Sequence, residues 1–332
     1  MNSVPSLKHV DPKWALWIME NVILGVNPED IYQALSDNGL KDAVTLPTLK
    51  EFCSRPEFAA RKWRETPSDK FERSLLSRYR LRCLRSDDAI QRVSTLHSKE
   101  FFETYYCRNE PVILTDLAKH WSLMSDWTPQ YLSSRYGDCD VEVQTGRNSD
   151  DHYEVNIASH RTRMSLRNYV GLVESVSSSN DVYMCANNRA LDCNLAGLFN
   201  DIPGLDGYLD SQHAKGRTFL WFGPGGTITP LHYDLMNVLF VQIYGDKEFV
   251  LAPPEALLYM YNNTGVFSDV DYKNPDLDRF PLFRNVRFIS GTLKAGETLF
   301  IPVRWWHFVQ THRVSISLSF TNFVWPNDAE EP

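Results

Sequence analysis

The chain has 332 residues, of which 43% are hydrophobic, 23% charged and 13% aromatic, with a formal net charge of −8. That is enough chain for one large domain, or one domain with a smaller companion, and for a sizeable core. The acidic balance excludes a wholly basic nucleic-acid binder, although charge can be local. Cys53, Cys83, Cys107, Cys139, Cys185 and Cys193 form no C-x-x-C pair and suggest no disulfide framework. No run of about 18 apolar residues occurs, so no transmembrane helix or other membrane association is expected. The apolar stretch from Trp14 to Val26 is broken by Glu20 and Asn21 and lacks the small-residue site of a secretory signal. The expected location is cytoplasmic.

Residues 1–95 read as a helical N-terminal region. Asp11-Pro12 pairs an N-cap with proline at the first helical position, and Trp14, Trp17, Ile18 and Leu24 follow at helical spacing up to Gly25. Asn27-Pro28 repeats the start signal, Ile31, Ala34 and Leu35 form the apolar stripe, and Asn38-Gly39 ends it. The short connection predicts an antiparallel helical pair. Trp14, Trp17 and Ile18 on one short helix exceed what a lone amphipathic helix needs to hide. They are expected to pack on the following domain or on a second copy, and a homodimer through these helices is the preferred reading. Residues 61–92 carry ten basic residues against five acidic ones. A solvated helix face next to an acidic body is the simpler account; a docking strip for RNA or an acidic partner is the sharper one.

Residues 96–332 have a different texture and read as a mainly β domain. Pro111 to Leu114 is a short apolar run, residues 120–137 suggest a helix, and Val141 to Gln144 alternates as a strand does. After Gly216, short strands separated by Gly and Pro turns are predicted at 218–222, 228–234, 238–243, 248–252, 286–289, 298–301 and 314–323. This spacing fits a barrel or sandwich rather than a parallel α/β sheet.

Within that region His232 and Asp234 stand one step apart on a predicted strand, where i and i+2 share a side. An imidazole and a carboxylate so placed are half of a metal site. His307, 75 residues further on (307 − 232), is the candidate third ligand. Two histidines and one carboxylate form a facial triad that leaves positions of an octahedral Fe(II) open. Spacing alone keeps the plainer alternative in play, because H-x-D recurs by chance and a lone histidine is more often a core residue.

Three linked stretches carry more information: Gly226-Thr-Ile-Thr-Pro-Leu-His-Tyr-Asp234 followed by Phe240-Val-Gln-Ile-Tyr-Gly-Asp-Lys247, then Asn274-Pro-Asp-Leu-Asp-Arg-Phe-Pro-Leu-Phe283, then Ala295-Gly-Glu-Thr-Leu-Phe-Ile-Pro302 running into Trp305-Trp-His307. In this order the segment from about residue 110 to 323 resembles the JmjC/cupin-like 2-oxoglutarate oxygenases, most nearly the asparaginyl hydroxylase of hypoxia-inducible factor and the small JmjC hydroxylases. The resemblance implies a double-stranded β-helix (jelly-roll) core and Fe(II) held by His232, Asp234 and His307. It also implies 2-oxoglutarate as co-substrate. Lys247, fifteen residues after the first ligand, would meet the distal carboxylate of the keto acid, with Thr229 and Tyr183 contributing hydroxyls. Two departures stand out. Relatives carry Asn six residues after the first ligand, where this chain has Val238, with Asn237 one place earlier. The asparaginyl hydroxylase grips its target amide with an Arg-Gln pair, where this chain has Val266 and Phe267. On the last strand the polar pocket residue falls near Ser317 or Ser319, with Asn322 out of register.

The function implied is a dioxygenase that hydroxylates a C–H bond, with release of succinate and CO₂. A protein or peptide side chain is the first substrate class. A small molecule or natural product and a modified RNA base are the alternatives, with lysine demethylation and a non-enzymatic cupin module behind them. Nucleic acid is not the favoured partner, because five acids interrupt the basic segment.

Overall fold

The computed structural model describes residues 10–23, 26–40, 44–54, 67–84, 88–94, 96–186 and 189–327. Leu24, Gly25 and, within the basic segment, residues 61–66 and 85–87 lie outside them. The chain divides into two compact units, residues 1–81 with 275–285, and residues 82–274 with 286–332. The strand at Arg92–Val93, within the region read as helical, pairs with Ile113 and Leu114 of the larger unit.

The first unit contains α1 (Pro12–Ile23), α2 (Pro28–Asp37), α3 (Leu46–Ser54) and most of α4 (Pro67–Cys83). The start signals act as expected: the Asp11 carboxylate accepts from Lys13 N at 2.9 Å, and Asn27 accepts from Glu29 N. Ile18, Ile31, Leu35 and Leu49 are fully buried together. Trp17 is buried in the same cluster and its indole donates to the carbonyl of Arg279, within the same unit. Trp17 and Ile18 are thus used inside the helical unit itself, a third arrangement beside the two expected. The apolar residues that α1 leaves exposed are instead Leu16 and Met19. Among the described residues no helix is long and apolar enough to cross a membrane.

The second unit is built on strands β1 (Arg92–Val93), β2 (Val112–Leu114), β3 (Asp140–Gln144), β4 (Arg161–Ser165), β5 (Thr218–Gly223), β6 (Ile228–Tyr233), β7 (Val238–Tyr244), β8 (Asp246–Ala252), β9 (Ile289–Lys294), β10 (Thr298–Ile301), β11 (Trp306–Thr311) and β12 (Ser315–Phe320). One sheet runs β1-β2-β10-β7-β12-β5, a second runs β6-β11-β8-β9, and β3 pairs with β4. Strands β5 to β12 thus divide four and four between two sheets, the cupin-like core. Val238, Phe240, Leu299 and Ile301 of the larger sheet meet Phe249, Leu251, Leu293 and Val309 of the smaller one in a shared apolar layer. Leu239, Val241, Ile243 and Leu318 turn the other way, onto helices 129–136 and 166–175 through Leu132, Tyr169 and Val173.

A strand covered on both faces loses its polar alternation. That explains β11, absent from the predicted strands: Trp306 to Val309 are all buried, so no period of two shows. β9, predicted at 286–289, instead runs over Ile289–Lys294, where Gly291 interrupts the apolar pattern.

Two arginines of the basic segment are engaged within this unit. Arg82 pairs with Glu110 at 2.9 Å and with the buried Glu255 at 3.2 Å, and lies over the Trp305 ring. Arg92 pairs with Glu297. Removing one partner of a largely buried pair leaves the other charge uncompensated. Arg82→Leu is expected to cost about 3 kcal/mol of unfolding free energy, and Arg82→Leu combined with Glu255→Leu to recover most of it. Urea titration of the two variants measures both. Equal loss in single and double variants would show that Arg82 acts through packing on Trp305 alone.

Candidate active site

The site begins with strand register. β11 pairs antiparallel with β6 so that His307 stands directly opposite His232. The two rings lie 4.0 Å apart between centroids. Asp234 follows β6 immediately, with its carboxylate 3.9 Å from His232 Nε2 and 3.6 Å from His307 Nε2. One ligand atom from each of the three lies within 4.8 Å of the others.

The histidines are oriented by their own backbone. His232 Nδ1 donates to Pro230 O at 2.8 Å, and His307 Nδ1 to Trp305 O at 2.9 Å. In each ring this leaves the Nε2 lone pair facing the cluster, as expected of metal-ligating histidines. Burial, reinforced by the neighbouring His232, pushes the His307 imidazole down to about 4, so it is neutral and ready to ligate. Two imidazoles and one carboxylate suit Fe(II) and leave coordination positions free. The donor set therefore fits the implied metal.

The connection around Asp234 is fixed at two points. Arg304, in left-handed conformation at φ 64°, donates its N–H to Asp234 O at 2.9 Å. Asn237 accepts from Val303 N and donates to Asn327 Oδ1, while Asn327 donates back to Asn237 O. Asn237 thus ties the loop after Asp234 to the turn that leads into β11. It does not line the cavity described next.

A cavity of about 430 Å³ lies between the two sheets, with the triad along one wall. Thr229, Tyr183, Lys247 and Ser319 also line it. Lys247, on β8, is 1% exposed, and its ammonium donates to the Tyr183 hydroxyl at 3.0 Å. Thr229 stands in the same lining. With the Lys247 ammonium donating to the phenol oxygen, the Tyr183 O–H keeps a proton of its own to donate. Phe240, Tyr183 and Trp221 surround the ammonium, 4.9 to 5.6 Å from their ring centroids. No carboxylate pairs with Lys247 among the described residues, and burial pushes it down to about 7. A buried ammonium without a counter-charge is unfavourable, so this end of the cavity is built for an anion. Ser319 accepts from Trp221 Nε1 at 2.9 Å and so anchors one wall.

The structure therefore gathers seven of the eight residues singled out in the sequence around one cavity and sets Asn237 behind it. Others carried no motif. Phe267 stacks on His232 with centroids 5.4 Å apart, and Val266 lies beside it in the lining, so this lip of the cavity is apolar. Gly223 leaves room for Tyr183: a Cβ there would stand 2.7 Å from the ring. Its place at the end of a strand, before Pro224, was the one available signal.

Comparison with known proteins agrees with this geometry. Residues 98–327 match the family model for the cupin-like domain. The chain is 31% identical over 250 residues to lysine-specific demethylase JMJ30 of Arabidopsis thaliana, covering 73% of this chain and 56% of that protein. It is 28% identical over 251 residues to lysine-specific demethylase 8 of Xenopus tropicalis, covering 71% and 53%. It is 24% identical over 256 residues to the human bifunctional peptidase and (3S)-lysyl hydroxylase JMJD7, covering 66% and 79%. The chain spans little more than half the length of the first two relatives. A family match over most of the chain, carried on a two-sheet core with the His232, Asp234 and His307 cluster, makes this protein a member of the JmjC/cupin-like domain family.

Proposed function

We propose that the chain is an Fe(II)- and 2-oxoglutarate-dependent oxygenase that hydroxylates a C–H bond of a protein or peptide side chain. The observation that carries this reading is the pairing of two features in one cavity: a triad with both Nε2 atoms free, and a buried Lys247 with no carboxylate of its own. A keto acid with a second carboxylate satisfies both ends. Bound iron would supply oxygen activation coupled to decarboxylation of the keto acid to succinate. His232, Asp234 and His307 would hold the metal. Lys247, Tyr183 and Thr229 would orient the distal carboxylate, and the apolar walls at Phe240, Phe249 and Val309 exclude water around it. The hydroxylases and demethylases among the relatives favour this chemistry. A substrate that is part of a polypeptide is favoured by the segment 264–268, which lies along β6 through Tyr233 N to Val266 O and Ser268 N to Leu231 O. It gives the mouth of the cavity an extended border along which a peptide can lie.

The test is turnover. Incubation of a cell lysate with protein, Fe(II) and 2-oxoglutarate is expected to yield succinate and a +16 Da product, both missing with His232→Ala. Triad variants should also lose stoichiometric Mn(II) binding in electron paramagnetic resonance while keeping the circular dichroism of the parent. A His307→Ala protein with undiminished succinate output would remove the metal assignment.

Lys247→Ala is expected to weaken 2-oxoglutarate binding by about 2–4 kcal/mol, the cost of leaving a buried carboxylate without its partner. Anaerobic calorimetry with Mn(II) measures it, and an unchanged Kd would point to another cation. The affinity should also depend on pH. In the free protein Lys247 loses its proton near pH 7, whereas in the unfolded chain it keeps it to the ordinary lysine range. The cost of burying the ammonium is therefore full below pH 7 and is relieved as pH rises. A docked carboxylate raises the lysine again, so binding above pH 7 takes up a proton, and Kd should climb by up to about tenfold per pH unit. Calorimetry at pH 8 in buffers of different ionisation enthalpy should register uptake of up to one proton, absent in Lys247→Met.

A further inference from the structure

Behind the three hydroxyl and ammonium donors lies a second buried cation that does not line the cavity. Arg147, in the turn after β3, has a side chain with no exposure. Its Nη2 donates to Ile228 O at 2.8 Å and to Glu154 Oε1 at 2.8 Å. Its Nε and Nη1 are buried with no hydrogen-bond partner among the described residues. The guanidinium lies over two aromatic rings instead, 4.2 Å from the centroid of Tyr153 and 5.1 Å from that of Tyr183. Tyr153 in turn donates to the same Ile228 carbonyl at 3.2 Å.

These contacts converge on the groups that would meet the keto acid. Ile228 immediately precedes Thr229 on β6, so fixing its carbonyl fixes the strand that presents the Thr229 hydroxyl. The Tyr183 ring is the other surface the guanidinium touches, and its hydroxyl accepts from Lys247. An arginine is suited to this, since its planar face stacks on rings while its fork donates in plane. Leaving two guanidinium nitrogens unpaired in the interior is unfavourable, and the stacking on Tyr153 and Tyr183 is what the site obtains in return.

Resting on the oxygenase reading above, we infer that Arg147 is a positioning residue for the distal carboxylate of the 2-oxo acid, acting through Ile228 and the Tyr183 ring without touching the ligand. Its effect is selective for co-substrates that carry that carboxylate. The comparison needed is between 2-oxoglutarate and 2-oxopentanoate, which has the same chain length and no distal carboxylate.

Anaerobic titrations with Mn(II) on the full chain decide the matter. In Arg147→Met the Kd for 2-oxoglutarate is expected to rise at least tenfold, while the Kd values for Mn(II) and for 2-oxopentanoate move less than twofold. Arg147→Lys, which keeps the charge and can still reach Ile228 O, should recover part of the loss. Where Arg147→Met does not fold, Arg147→Met with Glu154→Gln removes both charges of the pair and carries the same comparison. Unchanged 2-oxoglutarate affinity would overturn the inference. So would an equal loss for both keto acids, which marks a merely structural role. Lys247→Ala run in parallel separates the two levels. If it weakens 2-oxoglutarate and Arg147→Met does not, only the role of Arg147 falls. If neither variant has an effect, the distal-carboxylate reading falls with it.

Discussion

The antiparallel register of β6 and β11 governs this molecule. It sets His307 opposite His232, and because side chains alternate along a strand, a slip of one residue would turn one imidazole away from the other. The register is held from both sides. On one side β11 pairs antiparallel with β8, where His307 stands opposite Leu251. On the other, the turn before β11 is pinned by Asn237 to Val303 N and by Arg304 N to Asp234 O. The two histidines are therefore placed by the sheet's hydrogen-bond ladder, and Asp234 by the pinned loop that follows β6.

Much of this was legible in the sequence because the residues that do the chemistry are polar residues placed inside apolar text. His232 and Asp234 stand one step apart in largely apolar text, whereas Lys247 sits between Asp246 and Glu248 and is marked only by the resemblance, fifteen residues after His232. The cupin-like core was legible through the turn signals between short strands, and β10 falls where it was expected. What escaped did so for definite reasons. β11 is covered on both faces and has no alternation. Arg147 sits in a turn of ordinary polar residues, and only the folding back of that turn against Ile228 brings it under Tyr183. Trp17 and Ile18 looked like residues in search of an external partner because the pattern of one helix says nothing of α2 and α3, which complete their cluster, or of Arg279, whose carbonyl takes the Trp17 indole.

Two kinds of electrostatic cost meet at opposite ends of the cavity. At the triad, a low His307 pKa keeps an imidazole neutral, which is the form a metal needs. At Lys247, burial drives an ammonium towards neutrality although an anion needs it charged. The first cost is already settled in the folded chain, whereas the second is settled only when a carboxylate arrives. On the oxygenase reading, selectivity for a doubly acidic ligand would follow from that asymmetry, because a neutral occupant would leave the lysine no better off than solvent-free space does.

The strand order adds a consequence for how the protein tolerates damage. β6 ends the row β6-β11-β8-β9, and a bare edge strand invites pairing with another chain. Here the edge is capped by the segment 264–268, which pairs along Leu231 and Tyr233 and lays Phe267 on His232. The strip that keeps the sheet from recruiting a foreign strand is thus also the cover on a metal-ligand ring. Proteolytic nicking or loosening of that strip would therefore turn a loss of catalytic shielding and a gain of aggregation tendency into a single event.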